Sequence, residues 1–87
     1  MHEFAIASGI VDVIRLYVPD EDGARVRSVR VRVGDGAGVV AESLDFCFEC
    51  VVADTPYAAA RLEIDRVEGD DLQVVDVELE DVAEVVL

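Results

Sequence analysis

The only histidine of the chain is His2, set between Met1 and Glu3 at the N-terminus. A bulky second residue normally protects the initiator Met from removal, which leaves the α-amine one peptide unit from the imidazole. Amine, intervening amide nitrogen and imidazole can then close fused chelate rings around one cation. A planar set of nitrogens suits Ni(II) or Cu(II) far better than Zn, Ca or Mg. Met1 and His2 are therefore candidate metal-binding residues, with Glu3 directly beside them. Because the ligand nitrogens must shed protons, such a site weakens in acid.

The second group with chemical potential is Cys47-Phe48-Glu49-Cys50. Redox CxxC pairs usually occupy an exposed helix N-terminus, where a thiolate is stabilised. This pair falls inside a helical pattern, and two thiols without a second pair leave a zinc site half-built. Free, reduced cysteines are expected, with Cys47 largely buried. With a lone imidazole and no Ser/His/Asp set, the chain does not read as an enzyme.

Composition narrows the partners. Asp and Glu number 20 against seven basic residues, all Arg, for a formal charge of −13. That balance opposes binding to nucleic acid or to an anionic membrane. No stretch approaches the roughly 20 apolar residues of a membrane span, and no basic, apolar leader opens the chain. A cytoplasmic protein is expected. At 87 residues and 53% hydrophobic, one folded domain covering 1–87 accounts for the length.

The elements that must position these groups are legible from periodicity. From Glu3 to about Val18, Phe4, Ala7, Val11, Ile14 and Val18 recur at helical spacing. Ile6, Ile10, Val13 and Tyr17 make an adjacent stripe, so this helix must pack deeply. Ser28 to Val33 alternates as a strand, with Val29, Val31 and Val33 inward and Arg30 and Arg32 on the other face. Gly34 to Gly38 reads as a flexible bend that lacks the Lys-Ser/Thr of a phosphate loop. A second helix spans about Ala41 to Ala53, with Leu44, Cys47, Phe48 and Val51 on one face, and Thr55-Pro56 closes it. Ala60 to Arg66 and Leu72 to Glu80 alternate around Glu68-Gly69-Asp70-Asp71 and read as a hairpin, with Val75, Val77 and Leu79 inward. Arg61, Glu63, Asp65, Asp76 and Glu78 are expected to share the open face with Arg30 and Arg32. The apolar end Val85-Val86-Leu87 could extend the last strand, cover a sheet edge or meet another subunit. The order helix, strand, helix, strand, strand predicts an α+β domain, two helices on one face of a three-stranded mixed sheet. Its first two strands are candidates for a parallel crossover, and its last is expected antiparallel to the second.

Taken in register, these segments resemble the hydrogenase nickel-incorporation family (HypA/HybF). The similarity runs from Met1-His2-Glu3 through the strand Val26 to Gly34 and Gly38-Val39. Glu42 to Glu49 is similar to the family's Leu-x-Phe-Ala-Phe-Glu helix, and Thr55 and Ala60 to Ile64 match the strand after it. Gly69 to Val74 resembles its closing Gly-x-x-Leu-x-Val strand. The resemblance implies a metallochaperone that takes up Ni(II) through the terminal amine, the His2 side chain and early backbone amides. Its implied partners are a maturation GTPase and the large subunit of [NiFe] hydrogenase, with urease served by some members.

Two departures from the family pattern stand out. Family members carry a zinc module with two CxxC pairs before the last strand, whereas Arg66-Val67-Glu68-Gly69-Asp70 closes that gap directly. No zinc site is expected between about residues 66 and 70, and a monomer is favoured. Val40 stands where many members have an acidic residue, so any carboxylate support falls to Glu3, Asp35 or Glu42. Both departures sustain an alternative, a metal-free interaction paralogue on the same fold.

Overall fold

A computed structural model of the chain describes residues 2–80 and 84–87. Helix α1 (His2–Tyr17) is followed by a short 3-10 segment, Asp20–Arg25, and by strand β1 (Val26–Gly34). A second 3-10 turn, Asp35–Ala37, leads into helix α2 (Ala41–Val52). Strands β2 (Arg61–Val67), β3 (Leu72–Leu79) and β4 (Glu84–Val86) complete the domain. The architecture is α+β, as expected. The sheet, however, has four strands rather than three, in the order β2-β1-β3-β4.

The parallel pairing of β1 with β2 holds in register from Ser28 opposite Arg61 to Gly34 opposite Val67. The expected hairpin does not form. β3 runs antiparallel to β1, not to β2, so β1 is the central strand. The reason is partly hydrophobic: Val29, Val31 and Val33 are wholly buried, and a strand that apolar gains most from two flanking neighbours. Backbone space at the end of β1 is the other part. The connection from β2 to β3 crosses there, with the Gly34 N–H donating to Asp71 O at 2.6 Å and the Gly36 N–H to Gly69 O at 2.8 Å. A Cβ on Gly34 would collide with Gly69 O. The glycine-rich segment is thus a close backbone crossing rather than the flexible bend expected.

A register shift between Arg30 and Val31 moves the pairing from Asp76 to Val74 and leaves Val75 as the extra residue. Such a bulge flips the inward face. Val74, not Val75, consequently packs against the core, while Val77 is wholly buried as expected. The tail question is answered by β4, which pairs antiparallel with β3, Val85 opposite Val77. Residues 81–83 of that tail lie outside the described residues.

Both helices close over the valine face. α1 packs along α2 and reaches β3, and α2 reaches β2. Ala7, Ile10, Val11 and Ile14 of α1 meet Leu44, Cys47, Phe48 and Val52 of α2 in one core with the inward valines. Val52 takes the inward place expected for Val51, which packs only at the core's margin. Full burial of Ile14, Leu44 and Phe48 stabilises by about 1.5–3 kcal/mol each.

The largest wholly buried side chain is one the periodicity does not single out, Tyr57. Its hydroxyl donates to Val18 O at 2.6 Å and also meets Asp20 Oδ1 at 3.0 Å. The loop after α2 is thereby tied to the end of α1. Thr55 sets the approach, its Oγ1 donating to Val52 O and accepting from the Tyr57 N–H.

Charges on the open face are arranged as expected. Arg30, mid-strand in β1, lies 3.6 Å from both Glu63 and Asp65 on β2 and 3.9 Å from Asp76 on β3. Arg15, Arg25, Arg27 and Arg66 also have carboxylate partners within 4.0 Å. Five of the seven arginines thus lie beside carboxylates.

Candidate metal centre

Helix α1 begins at His2, so the candidate ligands occupy its first turn. The opening N–H groups of an α-helix have no intrahelical partner. The amide nitrogens of His2 and Glu3 can therefore be used without breaking the helix. Glu3 also suits this end of the helix dipole, which favours negative charge.

The two described members of the candidate set have different surroundings. The His2 side chain is 62% exposed, and its Nδ1 lies 3.8 Å from Glu3 Oε2. The Glu3 side chain is only 14% exposed, because its carboxylate turns toward α2. There its Oε2 accepts a hydrogen bond from the Val40 N–H at 3.3 Å. Val40 is the N-cap residue of α2, and Glu3 takes up its N–H as a carboxylate in the first turn of the same helix does in a capping box. The Val40 N–H is the chief reason the Glu3 carboxyl is held below its ordinary pKa, with the Glu3 N–H the second cause. Hydrogen bonds to the charged form favour that form. The third member, Met1, lies outside the described residues.

The other two carboxylates considered for support are placed differently. Asp35 Oδ1 accepts from Arg66 Nε at 3.3 Å, which ties it to the end of β2. Glu42 lies in the first turn of α2 and lines a shallow pocket with Phe4. The Val40 side chain itself is exposed. Among the described residues, no three His, Cys, Asp or Glu side chains converge as a metal-binding group. A cation at this end would draw on backbone nitrogen as well as on His2.

Phe4 departs from its expected core position. It is 48% exposed and faces the stripe of α2 that carries Phe46 and both cysteines. Cys47 is buried and Cys50 exposed, and neither is in a disulfide, in line with the expectation of free thiols. The link from Glu3 to Val40 had no signal in the sequence. Thirty-seven residues separate the partners, and the acceptor's target is a backbone group that any residue would offer.

The chain matches, over residues 1–78, the family model described as HypA: hydrogenase/urease nickel incorporation, metallochaperone. It belongs to that family, a family of metallochaperones rather than enzymes. It is 39% identical over 69 residues to the hydrogenase maturation factor HypA of Geobacter metallireducens, a match covering 79% of this chain and 60% of that protein. To the factor of the same name from Azotobacter vinelandii it is 41% identical over 69 residues, 79% of this chain and 61% of the relative. For Streptomyces avermitilis the figures are 41% over 70 residues, 79% and 53%. The chain thus spans little more than half the length of these relatives. No helix among the described residues is long and apolar enough to cross a membrane.

Proposed function

We propose that this chain is a nickel-binding domain that acts in the cytoplasm as a maturation factor, taking up Ni(II) as cargo and releasing it to a metalloenzyme. The ligands are the Met1 amine, the His2 imidazole and the amide nitrogens of His2 and Glu3. The observation that carries this reading is the bond from Val40 N–H to Glu3, which fixes the first turn of α1 while His2 stays exposed. An anchored but open array defines the direction of the ligands and still lets a recipient reach the ion. The recipient is the large subunit of [NiFe] hydrogenase or an enzyme such as urease, reached with a maturation GTPase. In this reading the short β2–β3 connection, from Val67 to Leu72, carries no zinc module.

The test is a Ni(II) titration of untagged protein, followed by calorimetry and by the visible d–d spectrum. One ion per chain is expected, with the spectrum of a square-planar nitrogen site. His2→Ala, or a single residue added before Met1, abolishes stoichiometric binding. Unchanged binding in either variant would overturn the assignment. Equal capture of the GTPase with and without nickel and His2 would favour the metal-free paralogue.

A further inference from the structure

The α1–α2 junction holds a second group of potential ligands that the nickel reading does not use. Ser43, Phe46, Cys47 and Cys50 follow the helical spacing i, i+3, i+4, i+7 and form one stripe of α2. With Glu42 and with Phe4 of α1, this stripe lines an open, mostly apolar pocket of about 390 Å³. Both thiols are free, and both border the same space: Cys47 from its nearly buried floor, Cys50 from its exposed rim.

We propose that this pocket binds a soft, closed-shell monovalent metal ion, Cu(I) being the physiological case, between the sulfurs of Cys47 and Cys50. Three chemical arguments select that class. Side chains three apart on a helix have Cβ atoms about 5–6 Å apart. A disulfide needs about 3.5–4.5 Å, so direct S–S closure is disfavoured while an interposed ion is not. Structural zinc asks for four ligands in a closed site, and among the described residues no three His, Cys, Asp or Glu side chains converge around this open pocket. Thiolates select Cu(I) over harder ions, and a two-sulfur site suits an ion content with few ligands.

The surroundings favour the same ion. The rings of Phe4 and Phe46 border the pocket and leave few hard oxygen donors to compete with the two sulfurs. Binding forms two S–Cu bonds and breaks two S–H bonds. Both protons pass to solvent, and no group changes oxidation state. The site is independent of the N-terminal nitrogens, which suit Ni(II) or Cu(II).

The experiment uses the full chain, reduced and under anaerobic conditions. Cu(I) is presented as its complex with a chromophoric chelator, and Ag(I) serves as a redox-inert second probe. The wild-type protein is expected to withdraw one equivalent of either ion and to develop an ultraviolet thiolate-to-metal charge-transfer band. Cys50→Ser, at an exposed position, is expected to lose both signals while keeping its circular dichroism; Cys47→Ser should do the same if its fold survives. His2→Ala is expected to retain both signals, which separates this site from the nickel reading. Binding that persists in Cys50→Ser, or a wild-type protein that takes no ion from the chelator, would overturn the proposal.

Discussion

The carboxylate of Glu3 accepts the Val40 N–H across 37 residues of sequence, joining the first turn of one helix to the start of the other. This bond depends on an ionised carboxylate whose pKa lies below its ordinary value. Its contribution is therefore complete above the unfolded-state pKa of about 4.3 and is lost as pH falls through the lower folded value. An acid titration followed by NMR should show the Val40 amide and the Glu3 carboxyl carbon moving together, with a midpoint below that of a free glutamate. In Glu3→Gln the Val40 amide should lose that acid-dependent step.

Tyr57→Phe removes a hydroxyl that bonds both Val18 O and Asp20. A loss of about 1–2 kcal/mol is expected, since the buried Val18 carbonyl gives up its phenolic donor. Burial, and next the Asp20 carboxylate, raise the Tyr57 pKa. The folded state therefore resists ionisation that the unfolded chain accepts near pH 10. Stability should fall as pH rises from there toward the folded value, and Phe at this position should flatten that alkaline decline. Urea midpoints measured across alkaline pH for both proteins test this.

Two glycines should respond oppositely to alanine. At Gly34 the new Cβ meets the backbone of Gly69 where the β2–β3 connection crosses, so a loss of about 1–3 kcal/mol or more is expected. At Gly9, inside α1, nothing lies within 4 Å of the new methyl. There the substitution should stabilise by about 0.5–1 kcal/mol through helix propensity. Thermal unfolding of the two variants should move in opposite directions.

Arg30→Gln should cost little, under about 1 kcal/mol, despite three carboxylates around the guanidinium. All of those groups except Asp76 are about half exposed and open to screening. The difference from wild type should shrink as salt is raised, which denaturation at low and high ionic strength would reveal.

The sequence was most informative where one physical requirement controlled several residues at once. The inward valines of β1 and the arginines opposite them obey a period of two, and α1 repeats its apolar positions at helical spacing. Pairing was harder to read, because adjacent segments invite a hairpin and only the glycines at the end of β1 permit the crossing that replaces it. The bulge that exchanges Val75 for Val74 leaves no local mark, since both residues are valine. At the candidate site, the residue types pointed to the terminus. The anchoring of that terminus depends on a distant backbone N–H and became visible only in three dimensions.

The central position of β1 has a consequence for how the molecule is made. Its partners begin more than thirty residues downstream, Ser28 opposite Arg61 on one side and Val33 opposite Leu72 on the other. While the polypeptide is being synthesised, β1 waits with both hydrogen-bonding edges bare until most of the chain has left the ribosome. Pairings this distant slow folding and leave nascent intermediates open to association with one another. A nascent chain stalled before Arg61 has neither neighbour to offer β1, so its two helices have no sheet to cover.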